Sequence, residues 1–279
     1  MPDPYLSVIL PCFNEEGNLE RGVLEEVRRY LGRLRETWEV VLVDDGSTDR
    51  SADLMRRFIG GKEGFSLLGI PHGGKAAAVW AGIRHARGEI VLLADMDQST
   101  SIEEWDRLAP WYARGCDGVI GSRGERREGF PAARRLCSRI FRSLRRLFLL
   151  RGISDTQCGF KSFRRRAALT IFPHLRFLRQ GAPPAGWKVT AFDVELLFLL
   201  AKAGYAVREV EVGWRNRDES RTKHPGRMWP RFLRESVEMA EEVIHVRLRH
   251  LLGGYREVKP GMKEAGSRVR EGCLSDCRP

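Results

Sequence analysis

The sequence predicts an α/β fold, a mostly parallel central sheet flanked by helices. Short apolar runs rich in Val, Ile and Leu alternate with stretches of helical period, the pattern of successive βαβ units. Two of those runs end in carboxylates: Trp38 to Val43 before Asp44-Asp45, and Ile90 to Leu93 before Asp95 and Asp97. Ligands of open parallel sheets bind outside the carboxyl ends of the strands, so acidic strand ends point to one shared crevice.

Each element follows in order. Tyr5 to Leu10 is the first strand, closed by Pro11-Cys12-Phe13-Asn14-Glu15-Glu16, and Leu19 to Leu34 carries helical spacing. The second strand, Trp38 to Val43, leads through Gly46-Ser47-Thr48-Asp49 into a helix through Ile59, capped by Ser47 or Asp49. Phe65 to Ile70 is a third strand. His72-Gly73-Gly74-Lys75 then opens a helix to about Ala86, where free amides and Lys75 would favour an anion. The glycine spacing there is neither a phosphate loop nor a dinucleotide fingerprint. After Asp97 come a helix from about Ile102 to Ala113 and a strand at Gly118 to Ser122. Further on are a helix from Phe192 carrying Asp193 and Glu195, a strand at Ala206 to Trp214, a polar stretch to Pro230 and a last amphipathic helix to about Leu252. Residues 1–252 read as one domain, and 253–279, rich in Gly and charge, as a flexible tail.

Composition bounds the function. A chain of 279 residues, 42% hydrophobic, can bury a full core. No apolar run reaches the ~18 residues of a membrane span, and the start lacks a signal-peptide pattern, so a cytoplasmic chain is expected. The six cysteines have no paired metal spacing; free thiols and no zinc are expected. The formal charge of +11 is concentrated between Arg123 and Arg151, where ten arginines face only Glu125 and Glu128. On a helix spanning about 131–150, Leu136, Ile140, Leu144 and Leu147 fall on one arc and Arg135, Arg139, Arg142 and Arg146 on the opposite one. Taken alone, such a helix suits an ordinary surface packed on the core first, an anionic membrane interface second and nucleic acid least.

Asp95 and Asp97 are the most informative pair. Side chains alternate along extended backbone, so both would point to one side and share a divalent cation with the phosphates it carries. The alternative is a solvated strand-to-loop turn, where Asp is common.

Taken as a set, Pro11-Cys12-Phe13-Asn14-Glu15-Glu16, Val43-Asp44-Asp45-Gly46-Ser47-Thr48-Asp49, Gly74-Lys75, Asp95-Met96-Asp97 and Gly121-Ser122-Arg123 resemble the ordered motifs of family 2 glycosyltransferases of the GT-A fold. Asp155-Thr156-Gln157-Cys158-Gly159-Phe160-Lys161, Phe192 to Leu197, and Trp214 with Ser220-Arg221 are similar to the dolichyl-phosphate β-glucosyltransferase and polyprenyl-phosphate mannose synthase group. The 155–161 segment favours the glucose branch. The resemblance covers about residues 5 to 250.

It implies transfer of a hexose, glucose from UDP-glucose before mannose from GDP-mannose, to a polyprenyl (dolichyl or undecaprenyl) phosphate with inversion. A family 2 enzyme with a soluble acceptor, or a non-enzymatic module for anionic surfaces, are the alternatives. Pro11, Asn14, Glu16 and Asp44 or Asp45 would hold base and ribose. Lys75, Arg217 and Arg221 would meet the donor phosphates. Asp95 and Asp97 would face the diphosphate, Asp97 as the direct ligand of Mg²⁺ or Mn²⁺. Arg123, Arg134, Gln157, Gly159 and Lys161 would receive the acceptor phosphate, and Asp193 joins the catalytic set. Where mannose synthases carry a metal-assisting Gln, this chain has Ser99, which leaves the third protein ligand open. The family's Gly-Ser-Lys reads Glu219-Ser220-Arg221, keeping a cation and losing the glycine. A phosphomonoester with a second pKa of ~6 is already ionised at neutral pH, so no activated Ser or Cys is needed. The implied enzyme is peripheral at the cytoplasmic face of a membrane, with a membrane-protein partner or self-association and no nucleic acid.

Overall fold

The computed structural model describes residues 3–124, 153–179, 192–220, 241 and 243–259. The basic helix expected at 131–150, Arg134 and Arg221 lie outside the described residues.

Among the described residues seven strands form one sheet: β1 (Leu6–Cys12), β2 (Trp38–Asp44), β3 (Phe65–Gly69), β4 (Ile90–Leu93), β5 (Gly118–Ser122), β6 (Lys161–Arg164) and β7 (Val207–Glu211). Their order is β3-β2-β1-β4-β6-β5-β7. All neighbours are parallel except β6, which runs antiparallel to both β4 and β5. The chain winds outward from β1 to β3 and then returns to place β4 on the other side of β1. That reversal opens a crevice between the ends of β1 and β4.

Both faces of the sheet are covered, which is why its strands read as continuous apolar runs. Ile9, Val41, Val43, Val91 and Leu93 pack against helix α4 (Lys75–His85), while Val8, Leu10, Val40, Leu42 and Leu92 pack against α2 (Val23–Leu31) and Met55 of α3 (Ser51–Ile59). Pro11 is tolerated in the central strand because the β1–β4 ladder stops at Ile9 and Leu93, so its missing N–H falls beyond that pairing.

Three expectations change. The helix expected over 19–34 is two, α1 (Glu16–Glu20) and α2, because Gly22 adopts a left-handed φ of +84° between them. The one expected over 102–113 is broken at Pro110, which has no N–H to continue the preceding turn and starts the next helix instead. The tail boundary at 252 falls inside packed structure: Tyr255 and Val258 are buried, and the Tyr255 hydroxyl donates to Glu195 at 2.6 Å. Four elements between residues 161 and 179 were not expected: β6, the helix Arg165–Ile171, the 3₁₀ turn Phe172–His174 and the helix Arg176–Arg179. Cys12 and Cys158 are free and buried, whereas Cys116 departs from the free-thiol expectation and is disulfide-bonded.

Helix α4 sits close on the sheet at Gly82, where an added Cβ would strike the Ile9 side chain and meet a Val43 methyl at 3.2 Å. Gly82→Val should therefore destabilise the fold by about 1–3 kcal/mol, read as a lower urea midpoint at unchanged slope.

Candidate active site

Strands β1, β2, β4 and β5 end at one edge of the sheet, and β6, running the other way, begins there. Its first residue, Lys161, pairs in register with Leu93 and Ile120. The 155–161 segment is thus brought directly against the loop that follows β4. The contact is closest at Gly159, where any Cβ would collide with the Asp95 carboxylate.

β4 stops at Leu93, so Asp95 and Asp97 lie in a turn and not on a strand. The expected alternation nonetheless persists, since both are half-buried on either side of a buried Met96. Gln98 holds the turn from within: buried, at φ +48°, it donates from Nε2 to the Asp95 carbonyl at 2.9 Å and accepts from the Ile102 N–H. The Asp97 carboxylate accepts from the Ser99 N–H at 2.8 Å, and its carbonyl accepts from Arg21 at 2.9 Å. Lys75, at the first turn of α4, ion-pairs with Asp95. Burial works to lower its ammonium pKa, but Asp95, Asp193 and Asp97 outweigh this and raise it above the usual lysine value. Lys75 is therefore a fixed cation at neutral pH, held within an acidic cluster.

On the β1–β2 side, the two adjacent aspartates have different tasks. Asp45 is buried and accepts from the Gly73 and Gly74 N–H groups at 2.7 and 2.9 Å and contacts His72 Nδ1 at 3.0 Å, so it clamps the loop before α4. Asp44 accepts from the Ser47 N–H at 3.1 Å and takes no part in that clamp. Asn14, at φ +55°, accepts from the Thr48 N–H at 2.8 Å and ties the β1 loop to the β2 loop. A non-glycine residue in that region is uncommon and tolerated best by Asn. Glu16 is engaged by Arg50 at 2.6 Å at the surface. Phe13 stacks on His72 with centroids 4.0 Å apart, a flat apolar pair beside Asp45 that the sequence reading did not single out.

On the β5–β6 side, Arg123 is held in a bidentate pair with Asp155 at 2.8 and 2.9 Å. Glu209 accepts from the Ser154 and Asp155 N–H groups at 2.7 and 2.6 Å, fixing the same loop from β7. The guanidinium of Arg123 lies 6.0 Å from the exposed Trp214 ring. Gln157 has a buried side-chain Nε2 without a hydrogen-bond partner, a donor that costs about 1–3 kcal/mol until something accepts from it. Lys161 is fully buried, donates to the Cys158 carbonyl and pairs with Asp193 at 2.9 Å. That placement differs from the acceptor-phosphate role expected for it: Lys161 holds Asp193 and the loop.

The segment after β7 straps the site. Arg215 and Arg217 donate backbone N–H groups to Ser99, at 2.8 Å to its carbonyl and 3.2 Å to its hydroxyl. Glu219 donates its N–H to Asn18 at 3.0 Å, and its carbonyl would lie 2.6 Å from a Cβ at Gly17. The Arg217 guanidinium pairs with Glu26 of α2 at 2.8 Å, directed to that helix and not to the Asp95–Asp97 turn. Burial pushes the Cys12 thiol up to about 12 and raises that of Cys158, so neither is a thiolate nucleophile at neutral pH.

Arg21 and Asp155 are supports that the sequence reading did not assign. Asp155 belongs to the 155–161 motif and its charge complements Arg123; Arg21, largely buried just past α1, carries no signal that sets it apart from a helical surface arginine.

Fold and site together define a class: this is the GT-A architecture of nucleotide-sugar transferases, with its acidic pair just past the fourth strand. The chain belongs to glycosyl transferase family 2, which it matches over residues 7–172. It is 32% identical over 266 residues to the dolichyl-phosphate beta-glucosyltransferase of Dictyostelium discoideum, covering 89% of this chain and 76% of the relative. It is 33% identical over 283 residues to that of Drosophila melanogaster, covering 94% and 80%. Its fold is similar to glucosyl-3-phosphoglycerate synthase from Mycobacterium tuberculosis, solved with Mn²⁺, uridine diphosphate and glucosyl-3-phosphoglycerate, at TM-score 0.56 and 20% identity over 88% of this chain and 80% of that one.

Two outcomes test the site. Gly159→Ala should lower turnover at least about ten-fold with little change in Tm, because the intruding methyl displaces Asp95 by a fraction of the ~1 Å that misplaces a reacting group. Lys161→Met should cost about 3–5 kcal/mol in a denaturant titration by leaving Asp193 uncompensated, and adding Asp193→Leu should restore most of it.

Proposed function

We propose that this chain is an inverting, metal-dependent hexosyltransferase that moves glucose from UDP-glucose to a polyprenyl phosphate, dolichyl or undecaprenyl, at the cytoplasmic face of a membrane to which it attaches peripherally. The observation that carries this reading is the contact of Gly159 with Asp95. It puts the loop assigned to the acceptor directly on the carboxylate assigned to the donor diphosphate. The names of the relatives support glucose and the polyprenyl phosphate.

Asp95 and Asp97 supply hard carboxylate oxygens, the donor type that suits Mg²⁺ or Mn²⁺. Among the described residues no cluster of three or more acidic, His or Cys groups could hold a metal by itself. Diphosphate oxygens would then complete the coordination, so metal and donor bind together. The cation would neutralise charge developing on the departing nucleoside diphosphate.

The chain's own work is positional. Asn14 and Asp44, with Pro11, frame the pocket for base and ribose. Lys75 offers a permanent positive charge to the diphosphate beside Asp95. Arg123 and the unpaired Gln157 amide receive the acceptor phosphate, whose ionised oxygen needs no base to attack the anomeric carbon. Asp193 and Lys161 are positioning residues, since each spends its charge on the other. Glu16 and Arg217, engaged by Arg50 and Glu26, support the loops that carry this pocket.

The test is transfer with purified protein, detergent-dispersed polyprenyl phosphate and Mg²⁺ or Mn²⁺, comparing UDP-glucose with GDP-mannose. Glucose-lipid should form from UDP-glucose, and Asp97→Ala should reduce turnover by about 10²-fold or more while leaving Tm within a few degrees. Donor binding without any transfer would overturn the acceptor assignment.

A further inference from the structure

The last described helix, residues 243–251, is apolar on two sides. Val243 and Val246 are buried against the core, at 5% and 1% exposure. Ile244, Leu248, Leu251 and the following Leu252 are 56%, 50%, 66% and 81% exposed. They include every large exposed hydrophobic side chain among the described residues except Trp214. At 3.6 residues per turn they fall within an arc of about 100°, a continuous stripe and not scattered exposure.

The surroundings of the stripe are cationic. Arg247 on the helix, and Arg256 and Lys259 in the segment that follows it, are exposed. The pKa of His250 is lowered, first by burial and then by Lys202 and Arg247, a sign of positive potential along this helix. Of the carboxylates nearby, Glu195 is buried under Tyr255 and Arg249, and Glu257 is paired with Arg179. Glu241 opposes the cations at the helix start.

We propose that this stripe is a docking surface for an anionic lipid bilayer, with Ile244, Leu248, Leu251 and Leu252 among the acyl chains and the flanking cations on lipid phosphates. Four side chains fall well short of the ~800 Å² per partner of a standard protein interface, and a cationic rim suits lipid phosphates better than a second copy of this basic chain. The helix is fastened to helix Phe192–Ala203 by the edge-to-face contact of Phe198 with His250, centroids 5.2 Å apart, and the segment after it by the bond from Lys202 to the Val258 carbonyl at 2.9 Å. The same helix delivers Asp193 to the site, so a bilayer held at residues 244–252 has a fixed relation to the acceptor loop. That purpose rests on the polyprenyl-phosphate reading; the surface itself does not.

The experiment is flotation of the full chain with vesicles of phosphatidylcholine, with or without phosphatidylglycerol, and with no polyprenyl phosphate present. Partition onto the anionic vesicles should exceed that onto neutral ones at least about ten-fold. Leu248→Glu with Leu252→Glu should lower it by a similar factor, at unchanged Tm and helical circular dichroism. Transfer to a short, water-soluble isoprenyl phosphate should be unchanged in that variant. Loss of vesicle binding with that transfer retained supports the surface; failure of all transfer in the wild type with intact vesicle binding would strike the functional reading alone. Undiminished flotation of the double variant, or a mass in solution that falls from dimer to monomer on substitution, would overturn the proposal.

Discussion

Alternating charges at one edge of the sheet are the constraint on which the site depends. Lys161 is paired with Asp193, Lys75 is raised in pKa by Asp193, Asp95 and Asp97, and Lys75 is paired with Asp95. These groups come from β6, from the helix at 192, from α4 and from the turn after β4, so no local segment could assemble them. The reversed direction of β6 is what makes it work. A parallel strand in that place would put Lys161 at the far edge, and Asp95 and Asp193 would confront each other across the crevice without a buried cation nearby.

Because Asp95 and Asp193 are each paired with a lysine, the site offers the proposed diphosphate a less repulsive charge than its acids alone would. Lys75 is half-exposed in its pair with Asp95, whereas Lys161 is fully buried in its pair with Asp193. The distinction sorts the two lysines: Lys75 is open to solvent and is the one proposed to meet the donor, while Lys161 keeps Asp193 and the 158–161 turn in place. A buried pair of this kind contributes little net stability against an apolar alternative, so its value is geometric.

The sheet was legible in the sequence because both of its faces are covered, which turns its strands into uninterrupted runs of Val, Ile and Leu. Asp95 and Asp97 were legible for the related reason that a carboxylate just past such a run has nowhere to go but the edge. What stayed hidden was whatever depends on tertiary direction. β6 has four residues with a charge at each end, Lys161 and Arg164, so no alternation marks it, and Lys161 was assigned to the acceptor when its burial commits it to Asp193. Asp44 and Asp45 are adjacent and could not be told apart until the loop before α4 was seen to close on Asp45. Arg217 was placed by motif at the diphosphate, but its backbone serves Ser99 and its side chain serves Glu26. Ser99, in turn, accepts the strap where the sister group's Gln would assist a metal.

These supports also bear on how the site can meet an acceptor in a bilayer. The loop that carries Gln157 and Gly159 is held on three sides: by Arg123 on Asp155, by Glu209 on two backbone amides, and by the packing of Gly159 on Asp95. If this loop receives the acceptor as proposed, such anchoring favours bringing the headgroup to the loop over extending the loop to the headgroup. In the proposed arrangement the protein would be held at a set height and tilt, which a rigid attachment provides better than a tether. The helix at 243–251 is rigid in this sense, because its buried face is locked to the helix at 192 through Phe198, Tyr255 and Glu195. On the proposed reading, a fixed acceptor loop and an exposed apolar stripe on an element bound to the same scaffold are two requirements of one arrangement, in which the bilayer would complete the geometry.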